Sequence, residues 1–305
     1  MWKKLCLLMS PLALLCAGCG EAPSASKDTE EPTPVDVVII SGQSNGVGCS
    51  HTEELMNSCG AEKYNEYYAG YDNVKIAYDC WTKDWPASGI TFFSQNTSGS
   101  RNFVKTRLGQ GNGTGTFGPE IGIAEAMTEQ NRELFLIKFA CGGSNLKDDW
   151  LGKTSIMYRK MMEYINRQMG NLVDMGYAPT IKAFCWMQGE GDSYPGYHNH
   201  YLENLRQFVG DLRDDLYEYA GKKTLPFVDA GISSASTWQY YKEVNEAKVA
   251  FSEENEMNFY IDTIGAGMHT DKEPWYEPDI NHYDSDSEIL LGRLFAEQFA
   301  PFLKE

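Results

Sequence analysis

Val37-Val38-Ile39-Ile40-Ser41-Gly42-Gln43-Ser44-Asn45-Gly46 is the stretch whose reading decides the fold. Its β-branched apolar run has no polar alternation, so it describes a strand covered on both faces, as in a parallel sheet. The run breaks abruptly into a polar turn with a glycine on either side of Ser44. Such a turn delivers the serine to the C-terminal edge of the sheet, where open α/β folds bind their ligands. Ser44 is therefore a candidate nucleophile, and a serine nucleophile needs a histidine.

Working outward, apolar runs alternate with longer helical patterns, which is the signature of an α/β domain. The expected strands are 37–40, 74–78, 134–140, 181–187, 226–232 and 259–263. The expected helices are 119–130, 155–175, 201–219, 242–254 and 287–302. Pro119 suits a first helical position and Gly176 a helix end. The segment from Trp81 to Gly118 reads as largely loop, and a loop that long in a compact domain often builds a binding site.

Three strands end in polar clusters: Gly42-Gln43-Ser44-Asn45, Cys141-Gly142-Gly143-Ser144-Asn145, and Trp186-Met187-Gln188-Gly189-Glu190-Gly191-Asp192. Parallel strands bring all three to one edge. The chain has five histidines, His51, His198, His200, His269 and His282, and His282 stands in Asp279-Ile280-Asn281-His282 just before the last helix. Acyl transfer needs a nucleophile, a base, a group that orients the base, and donors for the oxyanion. Ser44, His282 and Asp279 answer the first three needs. Gly142 or Gly143 can offer a backbone N–H, Gln188 a side-chain amide, and Ser44 its own N–H. Glu190 is a second candidate acid. Gln43, Asn45 and Arg107 are candidate substrate contacts.

Acidic residues number 43 against 26 basic ones, a net charge of −17. That surface argues against nucleic acid and anionic lipid as partners, and suits neutral polysaccharides or their esters. A local basic pocket built from Arg101, Lys105 and Arg107 would favour an anionic sugar instead. No metal-ligand spacing is visible, and the chemistry asks for no cofactor. Residues 1–18 read as a signal peptide: Lys3 and Lys4, an apolar core from Leu5 to Leu15, then Ala17-Gly18 before Cys19. This resembles the bacterial lipoprotein signal, with Cys19 lipidated, although Cys16 stands where leucine is usual. Residues 19–34 have a tether composition, and the folded domain is expected over 35–305. The expected location is thus the cell envelope, by a lipid anchor. Cys141 and Cys185 read as buried thiols. One disulfide among Cys49, Cys59 and Cys80 is open to an exported chain.

The chain also resembles the sialic-acid-specific acetylesterase type of carbohydrate esterase (carbohydrate esterase family six and relatives) within the SGNH-hydrolase superfamily. The matching residues are Gly42-Gln43-Ser44-Asn45, Phe117-Gly118-Pro119-Glu120, Lys138 to Ser144, Trp186 to Asp192, and Asp279-Ile280-Asn281-His282-Tyr283, in family order. Gly46 departs from the methionine usual there. The resemblance implies a three-layer α/β/α flavodoxin-like fold with a central parallel sheet. It implies removal of O-acetyl groups from sugars, with Ser44 as nucleophile and His282 as base. Asp279 is the usual supporting acid, with Glu190 as rival.

Each signal has a plainer reading. Ser44 can cap a helix, Asp279 can cap a turn, and the glycines can serve tight turns alone. Glu120 better suits the start of a helix than catalysis. His198 and His200 are spaced i, i+2 and do not share a helical face. Trp81, Trp85, Trp275 and Tyr276 form either a sugar-stacking rim or ordinary packing. Gly42-Gln43-Ser44-Asn45-Gly46 satisfies the nucleophile elbow of α/β-hydrolases, but that elbow follows several strands and Ser44 follows the first. The alternatives to acetylxylan-type deacetylation are a sialate O-acetylesterase and a non-catalytic glycan-binding lipoprotein of the same fold.

Overall fold

The computed structural model describes residues 31–84, 91–273 and 279–304. Residues 1–30, including Cys19 and the leader, lie outside them, as do Trp85, Trp275 and Tyr276. Among the described residues no helix is long and apolar enough to cross a membrane.

The chain runs β1 (Thr33–Gly42), α1 (Ser44–Val47), β2 (Ser50–His51), α2 (Thr52–Ala69), β3 (Tyr71–Asp84), β4 (Phe92–Thr106), β5 (Thr116–Phe117), α3 (Glu120–Glu129) and β6 (Leu134–Gly142). It continues through α4 (Ile156–Asp174), β7 (Tyr177–Met187), α5 (Tyr201–Asp215), β8 (Phe227–Ala230), α6 (Tyr241–Ser252), β9 (Asn258–Ile261) and α7 (Ser285–Phe299). Seven strands form one sheet in the order β4-β3-β6-β1-β7-β8-β9, parallel throughout except for β4. Helices α2, α3 and α7 pack on one face and α4, α5 and α6 on the other. All six expected strands and all five expected helices are present.

β1 is the central strand, and Val37 to Ile40 are fully buried, as an uninterrupted apolar run requires. Later connections leave β1 in both directions, to β6 on one side and β7 on the other. Its C-terminal end is thus the switch point of the sheet, and Ser44 follows it. On the α4 and α5 face, Trp150, Trp186, Phe184, Phe208 and Phe227 interlock in a buried aromatic cluster.

Three expectations need correction. Thr33 and Pro34, assigned to the tether, belong to β1 and pair with Tyr177 and Ala178. The stretch expected as loop after Trp81 instead completes β3 and forms β4, an edge strand antiparallel to β3. Its polar, glycine-bearing sequence hides the strand, because only one edge is paired and bulges interrupt the register. The region of Cys49 and Cys59 contains α2, whose apolar residues form no continuous stripe and which breaks at Gly60, φ 79°. Cys49, Cys59 and Cys80 are all free thiols, so no disulfide joins them.

Candidate active site

The Ser44 turn is fixed by its neighbours. Gly42 ends β1 with φ 139°, and a Cβ there would lie 1.9 Å from the Met187 carbonyl oxygen, so only glycine fits. Gln43 donates its N–H to that same carbonyl at 2.8 Å. Ser44, half-buried, opens α1. A Cβ on Gly142 would sit 3.9 Å from Ser44 Cβ and 3.9 Å from Thr82 Oγ1, so Ser44 and Thr82 both approach the end of β6.

Two expected substrate contacts and one expected oxyanion donor have other work. Gln43 is buried, and its Oε1 accepts from Gly191 N (3.0 Å), Gln188 Nε2 (3.2 Å) and Gly189 N (3.3 Å). Gln188 is fully buried, and its amide donates to Asp192 Oδ2 (2.6 Å) as well as to Gln43. Both of its N–H groups are thereby consumed, so it brings no donor to Ser44. Asn45 is buried as well. Its Nδ2 donates to Glu190 Oε1 (2.8 Å), and its Oδ1 accepts the N–H of Tyr283 (3.1 Å). Ser50 Oγ adds a hydrogen bond to the Tyr283 carbonyl at 2.7 Å. These polar residues knit the first, third and last motifs together instead of lining an open site.

His282 Nδ1 meets Asp279 Oδ2 at 2.6 Å. Glu190 does not hold this histidine; it is bonded to Asn45, and burial pushes its carboxyl up against the opposing effects of that bond and of Lys248. Burial also works to raise Asp279, but the hydrogen bond and charge of His282, with the N–H of Asn281, hold its carboxyl below the usual range. Burial alone would lower His282. The charge and hydrogen bond of Cys49 and those of Asp279 outweigh it and push the imidazole up to about 11. Cys49 is half-exposed and lines the same small cavity as His51, Asp279 and His282. His51 is lowered by burial, opposed by Asp279 and reinforced by His282.

The loop after β6 is held from below. Ser144 Oγ donates to the Cys141 carbonyl (2.7 Å) and accepts from Trp150 Nε1 (2.8 Å), while Asn145 Oδ1 accepts from Asp148 N (2.7 Å). Asp192 accepts from Leu146 N at 2.6 Å and Lys147 N at 3.3 Å. Burial pushes its carboxyl up to about 6 against those bonds. Gly142 is half-buried and Gly143 exposed with φ 71° beside Ser44, leaving the backbone approachable. Beneath α1, the fully buried Lys138 donates to Gln110 O (2.7 Å), Glu120 Oε2 (2.8 Å) and Val47 O (2.9 Å). Lys138 and Glu120 are thus structural supports of the turn.

Other expected residues lie elsewhere. Arg107 and Lys105 line a separate surface cavity, and Lys105 pairs with Asp72 at 3.1 Å. His198 stacks on Tyr240 with ring centroids 3.7 Å apart, and His269 Nδ1 contacts Asp284 Oδ2 at 2.5 Å. Among the described residues no group of three or more His, Cys, Asp or Glu side chains gathers to hold a metal ion. Sequence reasoning missed Cys49, Thr82 and the bracing role of Asp192. Of these, only Asp192 carried a signal, its place in the third polar cluster.

A strand-end serine and an Asp–His pair stand near one edge of a parallel sheet flanked by helices, the parts an ester hydrolase needs. The chain belongs to the family described as "Carbohydrate esterase, sialic acid-specific acetylesterase", whose profile matches residues 34–301, and is a carbohydrate acetylesterase, a carboxylic ester hydrolase. No curated protein matches it significantly by sequence. Among solved structures, a protein from Arabidopsis thaliana is similar at 20% identity, covering 89% of this chain and 100% of its own, with a TM-score of 0.58. NanS is similar at 14% identity over 89% of this chain and 98% of its own, TM-score 0.57. A carbohydrate acetylesterase from Xanthomonas citri is similar at 14% identity over 88% of this chain and 56% of its own, TM-score 0.53.

Proposed function

We propose that the chain removes acetyl groups from a neutral glycan of the acetylxylan kind through an acetyl-enzyme on Ser44. Ser44 Oγ attacks the acetyl carbonyl carbon as its proton passes to His282. The oxygen of the carbonyl becomes an oxyanion, met by the N–H groups of Ser44 and of Gly142 or Gly143. Collapse expels the sugar oxygen, which takes the proton back from His282. Water, deprotonated by His282, then attacks the acetyl group and releases acetate and free Ser44. Asp279 holds the imidazole with its other nitrogen toward the reaction.

The observation that carries this reading is the Asp279–His282 hydrogen bond of 2.6 Å in a loop tied to the serine turn through Asn45 and Tyr283. The acidic surface, net −17, supports a neutral glycan over O-acetylated sialic acid. Export with a lipid anchor at Cys19 and a place in polysaccharide degradation belong to the same reading and rest on the leader sequence. The mass of the mature N-terminus tests the anchor.

The test of function is acetate release by wild type and Ser44→Ala from acetylated xylan and O-acetylated sialic acid side by side. Release from xylan, abolished in the variant, is expected. Release from the sialic acid alone would move the substrate, and activity that survives Ser44→Ala would remove the nucleophile.

A further inference from the structure

A cavity of about 420 Å³ lies between the β3–β4 hairpin and α4, within the size range of small-ligand sites. Trp81, Gln95, Asn96, Arg101, Lys160 and Arg167 line it, together with the carboxylates of Asp79 and Glu163. Three cations stand against two carboxylates. Lys160 lies over the Trp81 ring, 4.0 Å from its centroid, and Gln95 Nε2 donates to Asp79 Oδ1 at 2.7 Å. Nearly balanced charge, mixed donors and acceptors, and an aromatic wall match a ligand rich in hydroxyls and poor in charge. The Trp81 indole N–H is buried and has no partner among the described residues.

One residue of the cavity wall, Trp81, reaches the end of β6 that Ser44 also approaches. Trp81 and Thr82 pair in register with Cys141 and Gly142. The Trp81 carbonyl oxygen is 3.8 Å from the point where a Gly142 Cβ would stand, and Ser44 Cβ is 3.9 Å from it. Thr82 Oγ1 donates to Asn96 Oδ1 at 2.8 Å, so one hydrogen bond links the edge of the serine site to the cavity wall. From Thr82 back to Asp79 the wall runs about 10 Å along the strand, at about 3.3 Å per residue.

We propose that this cavity is a subsite for neutral glycan residues beyond the acetylated one, so that the enzyme prefers an acetylated oligosaccharide to a free acetylated sugar. The inference rests on the reading of Ser44 as the esterase nucleophile for its kinetic consequence, but not for binding. Calorimetric titration of the Ser44→Ala chain with acetyl-free xylotetraose, cellotetraose and mannotetraose reads the subsite without catalysis. At least one tetrasaccharide binds and its monosaccharide does not. Combining Arg101→Ala with Gln95→Ala, both at exposed positions, weakens binding about tenfold, the scale of one lost hydrogen bond to a charged group. In the catalytic chain, the same pair lowers the oligosaccharide-to-monosaccharide ratio of kcat/KM by a similar factor. No binding of any tetrasaccharide, equal binding by the variants, or tighter, salt-sensitive binding of an oligogalacturonate would each overturn the proposal. A wild type that releases no acetate sinks the esterase reading, and the calorimetry still decides the subsite.

Discussion

Asn45 Oδ1 accepts the backbone N–H of Tyr283 at 3.1 Å, and so joins the residue after Ser44 to the residue after His282. The two sit 238 positions apart in the chain, yet this contact sets where the Ser44 turn and the His282 loop meet. The other end of the same amide is bound to Glu190 at 2.8 Å, so one buried side chain registers three motifs against one another.

Asn45→Ala removes that register. It leaves the Tyr283 N–H and a Glu190 oxygen without partners, each worth about 1–3 kcal/mol when buried. A displacement of about 1 Å between reacting groups costs about a hundredfold in rate. The variant should therefore fold with a lowered Tm and lose kcat/KM by about that factor. Thermal denaturation with p-nitrophenyl acetate kinetics checks both, and full activity at a lowered Tm would confine Asn45 to stability.

The choice between the two acids follows from their hydrogen bonds. Asp279→Asn keeps the shape but offers His282 Nδ1 the wrong partner, and kcat should fall about 10³–10⁴-fold. Glu190→Gln keeps an oxygen for Asn45 and should cost less than about tenfold, since the hydrogen bond of Glu190 goes to Asn45 and that of the imidazole to Asp279. The reverse order of losses would reassign the supporting acid.

The apolar run of β1 and the three strand-end clusters made the sheet and the position of Ser44 readable, because a run that is apolar on both faces and then turns abruptly polar fits a buried parallel strand and little else. The Asp–His pair was readable because its members are three residues apart. The jobs of Gln43, Gln188 and Asn45 were not, because whether a carboxamide points into a site or across a core depends on partners distant in sequence. β4 was hidden because an edge strand needs no apolar alternation. Cys49 was hidden because its importance is a contact with a residue at the far end of the chain.

Cys49 bears directly on His282, the proposed base. The histidine must be neutral to accept a proton, and Cys49 and Asp279 raise its affinity for one, so the acid limb of kcat/KM should lie above the ordinary histidine range. Cys49→Ser removes one of those influences and should move the limb to lower pH. Iodoacetamide should inactivate the wild type and spare Cys49→Ser. The thiols of Cys80, Cys141 and Cys185 are buried and pushed up by that burial, and so react slowly. Coincident pH profiles, or equal inactivation of both proteins, would detach Cys49 from the base.

Glu288 in α7 gives the fold a pH dependence of its own. It is fully buried, neither carboxyl oxygen has a partner among the described residues, and burial with the neighbouring charge of Glu120 raises its carboxyl far above the unfolded value. The folded state therefore holds a proton that the unfolded chain releases at about pH 4.3, the ordinary value for glutamate. Stability from this group is fully present below that pH and is lost progressively as pH rises toward the folded value. Glu288→Gln abolishes the proton uptake. Its Tm relative to wild type should therefore rise steadily from about pH 5 to about pH 8, whatever the fixed effect of the new amide. A Tm difference that stays constant across that range would mean that Glu288 is charged in the folded protein.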